Sequence, residues 1–148
     1  MFVSEIKSIV EAAGISFLYG NSSEINMILS RVDKFPVLIY FTTITANDTI
    51  QNNNLVTTTF PFNAALLTKR IDSTVDYESE IVQTEIDQMR DKARNIIYRI
   101  NNSEIIRIGS EGITEVSYPS LYGQNDEHLF GVGIECTIPA DTGLTYCE

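Results

Sequence analysis

The sequence has few of the residues from which catalytic and metal sites are built. It contains one histidine, His128, and two cysteines, Cys136 and Cys147. These positions do not form a zinc pattern, in which cysteines and histidines occur in closely spaced pairs. We interpret Cys136 as a small buried residue of a strand and Cys147 as a terminal thiol. A disulfide between them is the alternative.

Motifs that carry phosphate or acyl chemistry are also missing. The sequence has no phosphate-binding loop, no dinucleotide-binding turn between a strand and a helix, and no nucleophile elbow. The GVG triplet at 131–133 lies inside a predicted strand, so its amides do not form the nest that holds a phosphate. We therefore predict a protein that is not an enzyme and that has no cofactor.

The remaining candidates for chemistry are interpreted as surface residues. His128 lies in an acidic turn region, and a catalytic group with Tyr118 and Glu135 is the strongest enzymatic alternative. The long predicted helix carries several carboxylates away from its apolar stripe, which favours a solvated face over a metal site: Glu78, Glu80, Glu85, Asp87 and Asp91. We predict no metal site.

Basic residues are scarce. Ten lysines and arginines face 20 aspartates and glutamates, which gives a formal net charge of −10 and a sequence pI near 4.4. Such a surface repels phosphate backbones, so specific nucleic-acid binding is excluded from the main hypotheses. We interpret the acidic excess as a source of solubility, with attraction of a basic partner as the alternative.

Long apolar runs are absent. The longest, PVLIYF at 36–41, is much shorter than the ~20 residues that span a bilayer as a helix. The first residues, MFVSEIKSIVEAAG, mix charged with apolar side chains and predict an amphipathic helix, in contrast to a signal peptide. We expect a soluble protein without a membrane segment.

The first half of the chain predicts short helices and a central strand. Apolar residues at helical spacing predict a helix over 2–13 and a second helix that begins at 21–23 and ends at Pro36. A brief strand over 15–20 lies between them. The β-branched and aromatic segment 36–45 predicts a central strand that is covered on both faces.

A β-hairpin follows in the sequence. The Asn-rich segment 46–54 predicts its loop, and LVTTTFPF at 55–62 predicts its returning strand. Pro61 lacks an amide hydrogen, so this strand is expected at a sheet edge or to leave the sheet there. Segment 63–76 stays ambiguous between a helical turn and a loop.

The segment 77–100 predicts one long helix of about six turns. Asp76 is expected to cap its start. Apolar residues form a continuous stripe on one face: Val82, Ile86, Met89, Ala93, Ile96 and Ile100. We expect this stripe to pack on a sheet, with a coiled-coil seam as the alternative.

Three strands, 104–109, 113–123 and a last one over 126–139, are predicted to form an antiparallel meander, with a turn at Gly109 and Gly112. One face of the last strand is apolar and is expected to lie beneath the long helix: Phe130, Val132, Ile134, Cys136 and Ile138. On the other face of this strand, Gly131 and Gly133 have no side chains, so the backbone is uncovered there. We predict that the sheet bends there or that a segment of a neighbouring subunit lies against it.

The predicted fold class is α+β, with an antiparallel or mixed sheet packed by one long helix and with short N-terminal helices. We predict a single domain over 1–148, with a polar tail over about 140–148. The order of elements, from the N-terminal helix through the hairpin and long helix to the strand LFGVGIECTIP, resembles the tail terminator and tail-completion proteins of bacteriophages, also called head–tail joining proteins.

This resemblance implies a structural virion subunit. Members of that family form rings, commonly hexamers, at the head–tail junction, where they contact tail or connector proteins and where DNA passes through the lumen. A hexameric or dodecameric ring in the virion, assembled in the host cytoplasm, is therefore expected. The resemblance implies assembly contacts in the loops 46–54 and 119–126, and the pattern of the last strand adds its two glycines. The candidate contacts are Asn47, Asp48, Asn52, Asn53, Asn54, Tyr122, Gln124, Gly131 and Gly133.

Other α+β sandwiches share much of this order of elements. The alternative hypothesis is a small ferredoxin-like binding or regulatory domain without catalysis, which would use its sheet face or a helix groove for a ligand or a peptide.

Overall fold

The computed structural model describes residues 2–20, 35–41, 47–50, 56–69, 80–107, 109–124 and 129–140. These residues form two helices and seven strands: α1 (Phe2–Ala12), β1 (Ser16–Gly20), β2 (Val37–Phe41), β3 (Asn47–Ile50), β4 (Val56–Lys69), α2 (Glu80–Asn101), β5 (Val116–Ser117), β6 (Ser120–Gln124) and β7 (Leu129–Ala140). The α+β class is confirmed. The predicted second helix, the Asp76 cap and the polar tail beyond Ala140 lie outside the described residues.

The strands form one mixed sheet. Its order is β1-β2-β4-β7-β5, with β3 also paired to β4 and β6 also paired to β7. The pair β1–β2 is parallel, and the other pairs are antiparallel. The predicted hairpin between 36–45 and 55–62 is wrong in its pairing: β2 is antiparallel to residues 64–67 of β4, with Val37 opposite Leu67, whereas residues 56–59 pair with β3.

The centre of the sheet is the long pair β4–β7, in which Thr58–Lys69 lies opposite Leu129–Ala140. Residues 63–69 therefore continue β4, and the expectation of a helical turn or loop there is wrong. Ala64 and Leu66 belong to one core cluster and Ala65 and Leu67 to another, which is the two-residue alternation of a strand. Burial on both faces overrides the helical preference of alanine and leucine.

Pro61 lies inside this central strand, so the prediction of an edge strand is wrong. Next to β4, β3 pairs with residues 56–59 and β2 pairs with residues 64–67. Among the described strands, none pairs with Pro61 on that side. The proline is therefore placed where the ladder is interrupted, and an amide hydrogen is not needed there.

The long helix α2 packs on the sheet, as its stripe predicts. All six stripe residues are buried, together with Ile97. They share one hydrophobic core with the apolar face of β7 and with Ile6 and Val10 of α1. The expected position of Phe130, Val132 and Ile134 beneath the helix is confirmed. Burial of these side chains is the main stabilising contribution, at about 1.5–3 kcal/mol for each large one.

A smaller apolar cluster lies on the opposite face of the sheet. It comprises Val37, Ile39, Ala65, Leu67 and Leu129, all at most 5% exposed. Alternate residues of β2 thus enter two different clusters. This arrangement confirms the prediction that β2 is buried on both faces.

The predicted meander after α2 is confirmed in part: β5 and β6, which lie in the predicted strand 113–123, are antiparallel to β7, but the first strand of the meander is missing. Ile106 makes a single bridge to Ala140, and β5 and β6 pair with β7 rather than with residues 104–109. A separate strand over 104–109 is therefore wrong. With 12 residues, β7 is longer than β5 and β6 together, so it pairs with both strands and also forms the bridge to Ile106.

The turn before β5 is fixed by the end of α2. Gly109 and Gly112 adopt φ angles of 85° and 76°, as a turn between them requires. The amide of Ile113 donates to Oδ1 of Asn101 at 2.9 Å. The last helical residue therefore sets where the chain enters β5.

Candidate assembly surfaces

Gly131 is enclosed by its own chain. It is buried, and a Cβ placed on it would overlap the carbonyl oxygen of Leu66 in the neighbouring strand β4. The close backbone approach predicted for this strand is therefore real, but it comes from β4. The hypothesis of a neighbouring subunit at this position is wrong.

Gly133 is likewise buried, and its neighbour is Pro119. A Cβ on Gly133 would lie 2.9 Å from Cγ of that proline, and the Gly133 amide donates to the Pro119 carbonyl at 2.7 Å. Pro119 separates β5 from β6. Gly133 thus contacts both the ring and the carbonyl of Pro119, in the irregular segment between β5 and β6.

Asn47 and Asp48 lie in β3, which pairs with residues 56–59 of β4. The prediction that the whole of 46–54 is a loop is wrong, because 47–50 is a strand. Asn52, Asn53 and Asn54 lie outside the described residues. We call the paired segments 47–50 and 56–59 the arm.

The arm is polar and exposed on its β3 side. All four side chains of β3 are exposed, and Ile50 is 70% exposed. Oγ1 of Thr58, a residue that is only 5% exposed, donates to Oδ1 of Asp48 at 2.6 Å. This short bond to a carboxylate fixes β3 on the central strand.

Tyr122 and Gln124 lie in β6, beside β7. Tyr122 is 40% exposed, and its hydroxyl accepts a hydrogen bond from Nε2 of Gln83 at 3.1 Å. The expected assembly residue is therefore held by α2 while one side of its ring stays accessible.

This contact belongs to a row of polar contacts between α2 and residues 118–122, which we call the seam. Nη2 of Arg90 donates to Oγ of Ser120 at 3.1 Å, and the guanidinium of Arg94 lies 5.6 Å from the ring centre of Tyr118. Asp87 and Asp91 accept from these arginines at 3.0 Å and 2.8 Å.

The seam matches the spacing of a helix to that of a strand. From Gln83 to Arg94 the helix rises about 16 Å, and from Tyr118 to Tyr122 an extended chain advances about 13 Å. Side chains 118, 120 and 122 contact Arg94, Arg90 and Gln83, which lie about one and then about two helical turns apart. The sequence signal was the alternation Tyr-x-Ser-x-Tyr opposite basic helix residues, which sequence reasoning missed.

The arm and β6 lie at opposite ends of the β4–β7 pair. Asn47 is opposite Thr59, whereas Leu121 of β6 is opposite Gly131, the partner of Leu67. The eight residues from Thr59 to Leu67 correspond to roughly 27 Å of extended strand. The structure thus separates the two sets of predicted contacts.

The face of the sheet opposite α2 has a second, polar part beside the smaller apolar cluster. Its exposed residues come from the middle of β4, from β5 and the residue preceding it, and from β7: Asn63, Glu115, Ser117, Glu135 and Thr137. We call this the polar face. It presents two carboxylates.

The alternative catalytic group is not brought together. Tyr118 packs against the core beneath α2, whereas Glu135 is exposed on the polar face, so the sheet separates them. His128 lies outside the described residues. Burial raises the pKa of Tyr118 despite the opposing effect of Arg94.

Cys136 is partly buried beside the core, and its burial raises the pKa of the thiol to about 12. A thiol with that pKa is protonated at neutral pH and is a poor nucleophile. Cys147 lies outside the described residues, so the pairing of the two cysteines stays untested.

The carboxylates of α2 face solvent or its arginines. Within the described ranges, no group of three or more His, Cys, Asp or Glu side chains is arranged to hold a metal ion. Neither α1 nor α2 is at once long and apolar enough to cross a membrane.

Comparison of the chain with protein-family models, with curated proteins and with solved structures gives no match.

Proposed function

We propose that the protein is a structural subunit that assembles with copies of itself into a ring at a bacteriophage head–tail junction, as a tail terminator, collar or connector protein. Its role is protein–protein assembly without catalysis or a cofactor. The ring is part of the virion and forms in the host cytoplasm.

The observation that carries this proposal is the arm. It projects a strand with four exposed side chains from the central strand of a well-packed sheet. Its Ile50 is the most exposed large hydrophobic residue of the described chain, at 70%. An exposed apolar side chain on a strand that is hydrogen-bonded to the central strand is suited to a contact with a neighbouring subunit.

The two-ended arrangement supports the same proposal. A subunit of a junction ring contacts one neighbour towards the head and another towards the tail. The arm and Tyr122 lie at opposite ends of the β4–β7 pair. One long helix across the sheet, preceded by short N-terminal helices, is the finer architecture that the proposal assigns to the subunit.

The polar face is suited to the lumen of such a ring. Glu115 and Glu135 are exposed there, and the chain as a whole carries a net charge of −10. A negative wall repels the DNA backbone and lets it slide without specific binding.

The test compares two substitutions of one kind. Ile50→Asp places a charge on the arm, and Ile81→Asp places it on α2, where the isoleucine is 64% exposed. We expect Ile50→Asp to lower the mass of the assembly in sedimentation and to remove rings from electron micrographs. The Ile81→Asp protein should keep the mass of the wild-type assembly and should still form rings. Neither substitution should lower the free energy of unfolding much, since both sites are exposed.

Equal behaviour of the two variants would contradict the assignment of the arm as an assembly contact. A wild-type protein that stays monomeric and is stabilised by a small ligand would favour a binding domain instead.

A further inference from the structure

We infer that the outer edge of β1 binds β1 of a second copy of this chain, in an antiparallel, two-fold symmetric pair centred on Leu18. This inference concerns a contact other than the arm and does not depend on the ring.

The first observation is the direction of the backbone groups of β1. The amide of Ser16 donates to the carbonyl of Pro36 at 3.2 Å, so Ser16 turns its polar groups towards β2. Alternate residues of a strand point to the same side, so Leu18 does the same. Phe17 and Tyr19 therefore direct their amides and carbonyls to the outer edge.

The second observation is that, among the residues that the structure describes, none of the usual protection is found at this edge. β1 is the first strand in the sheet order, and no described strand pairs with its outer side. Proteins normally protect such edges with charged residues, proline or a bulge. The strand SFLYG has none of these. At the other edge of the sheet, Pro119 and the break between β5 and β6 provide such protection.

The third observation concerns charge and favours this edge as the place where a second copy binds. With a net charge of −10, two copies repel each other across most of their surfaces. β1 and its neighbour β2, VLIYF, are uncharged. This edge is therefore a surface at which two copies approach with little electrostatic cost.

The register is self-complementary. An antiparallel pair centred on Leu18 places Phe17 opposite Tyr19 of the second copy, and Tyr19 opposite Phe17 of the second copy. Because these are the residues whose polar groups point outwards, each such pair exchanges both of its hydrogen bonds. The pair therefore forms without any change in the backbone conformation of β1.

The side chains also fit this register. Phe17 packs on the core beneath the helices, and Tyr19, 43% exposed, has its ring 5.6 Å from that of Tyr40 in an edge-to-face contact. Pairing would place Phe17 and Tyr19 of the two copies side by side. Cross-strand aromatic pairs stabilise a sheet.

The contact is short, so it is weak by itself. Five residues on each side cover much less than the roughly 1,200 Å² at which stable interfaces begin. We expect a dimer that dissociates in the micromolar range or above, and that gains affinity when the chain assembles through other contacts.

The first test uses a crosslink at the two-fold axis. Residues 18 of the two copies would form a non-hydrogen-bonded pair, with Cα atoms about 4.5 Å apart, which is within the range that a disulfide spans. Leu18→Cys is made in a chain that also carries Cys136→Ala and Cys147→Ser. Tyr98→Cys in the same background is the control, since Tyr98 is 68% exposed on α2.

We expect mild oxidation to convert most of the Leu18→Cys protein into a covalent dimer with an unchanged circular dichroism spectrum, and the Tyr98→Cys protein to stay largely monomeric. Equal crosslinking of both variants, or none of either, would overturn the inference.

The second test does not need a cysteine. Tyr19→Glu places like charges across the proposed pair, and Tyr98→Glu is the matched control. In sedimentation, Tyr19→Glu should weaken dimerisation at least tenfold, and Tyr98→Glu should not. If the arm variants abolish rings while Leu18→Cys still crosslinks, the ring and the β1 contact are separate. If rings form but Leu18→Cys does not crosslink, the inference fails and the ring proposal stands.

Discussion

Gly133 lies directly against Pro119: its amide donates to the proline carbonyl at 2.7 Å, and its missing side chain leaves room for the ring. This contact holds the break between β5 and β6 against the long strand β7. The two glycines of β7 therefore serve the packing of the monomer: Gly131 lies against β4, and Gly133 lies against the segment between β5 and β6.

The first prediction concerns these two glycines. A Cβ at Gly131 meets the backbone of Leu66, which cannot move without opening the β4–β7 ladder, whereas a Cβ at Gly133 meets the ring of Pro119. Gly131→Ala should lower the free energy of unfolding by about 2–4 kcal/mol and Gly133→Ala by about 1–2 kcal/mol. Urea denaturation measures both values.

A double variant tests the cause of the second effect. Pro119→Ala removes the ring, so its combination with Gly133→Ala should be more stable than the sum of the two single effects predicts. No such coupling, or a Gly131→Ala protein as stable as wild type, would contradict the assigned contacts.

The second prediction compares two isoleucines of α2. Ile86 is 1% exposed in the core, and Ile81 is 64% exposed. Ile86→Ala should lower the free energy of unfolding by about 2–5 kcal/mol, because it removes buried methyl groups and leaves a cavity. Ile81→Ala should change it by less than about 0.5 kcal/mol. Similar losses from both would mean that α2 presents a different face to the sheet.

The third prediction concerns the seam. Arg90→Met removes the bond to Ser120 but keeps the aliphatic part of the side chain. We expect faster hydrogen exchange of backbone amides in β6, with a small change in melting temperature, because the bond is partly exposed. Lys92→Met, an exposed change on the same helix, is the control. Unchanged exchange in the Arg90→Met protein would show that the seam does not hold β6.

The fourth prediction is a loss of stability at alkaline pH. Burial raises the pKa of the Cys136 thiol to about 12 and also raises the pKa of Tyr40. In the unfolded chain these groups lose their protons near pH 8.5 and 10. Between the unfolded and folded pKa values the native state binds more protons, so stability is complete below about pH 8.5 and falls as pH rises further.

Chemical denaturation at a series of pH values between 7 and 11 measures this decline. In the Cys136→Ala protein, the free energy of unfolding should fall less steeply with pH from about pH 8.5. In the Tyr40→Phe protein, it should fall less steeply above about pH 10. The slopes are compared, since each substitution also changes the stability at neutral pH. Identical slopes in wild type and Cys136→Ala would show that the thiol is not shielded.

Strong local periodicity explains what the sequence could predict. The stripe from Val82 to Ile100 and the alternation from Phe130 to Ile138 specify which faces meet, because burial requires them to pack together. The class of fold and the packing of α2 on β7 follow from these two patterns.

Tertiary context explains what the sequence could not predict. Residues 63–69 have helical preferences but are drawn into β4 by burial on both faces. Pro61 was expected at an edge, yet the gap between β3 and β2 accommodates it within the central strand. The partner of Gly133 could not be found by pattern, because Pro119 approaches through an irregular segment with no periodicity.

The accessibility of the candidate contact residues, as distinct from their role in assembly, could be predicted in part. Asn47, Asp48 and Tyr122 were expected at exposed positions, and the structure exposes their side chains. Their placement at opposite ends of one strand pair depends on register, which the sequence does not specify without knowledge of the neighbouring strands. Gly131 and Gly133 lie in the interior instead.

The most direct test of the central claim, self-assembly into a ring, is the mass of the purified protein in solution over a wide concentration range, by light scattering coupled to gel filtration. The account predicts a concentration-dependent assembly with a defined mass near six or twelve copies. A monomer at every concentration, up to about the millimolar range, would contradict it.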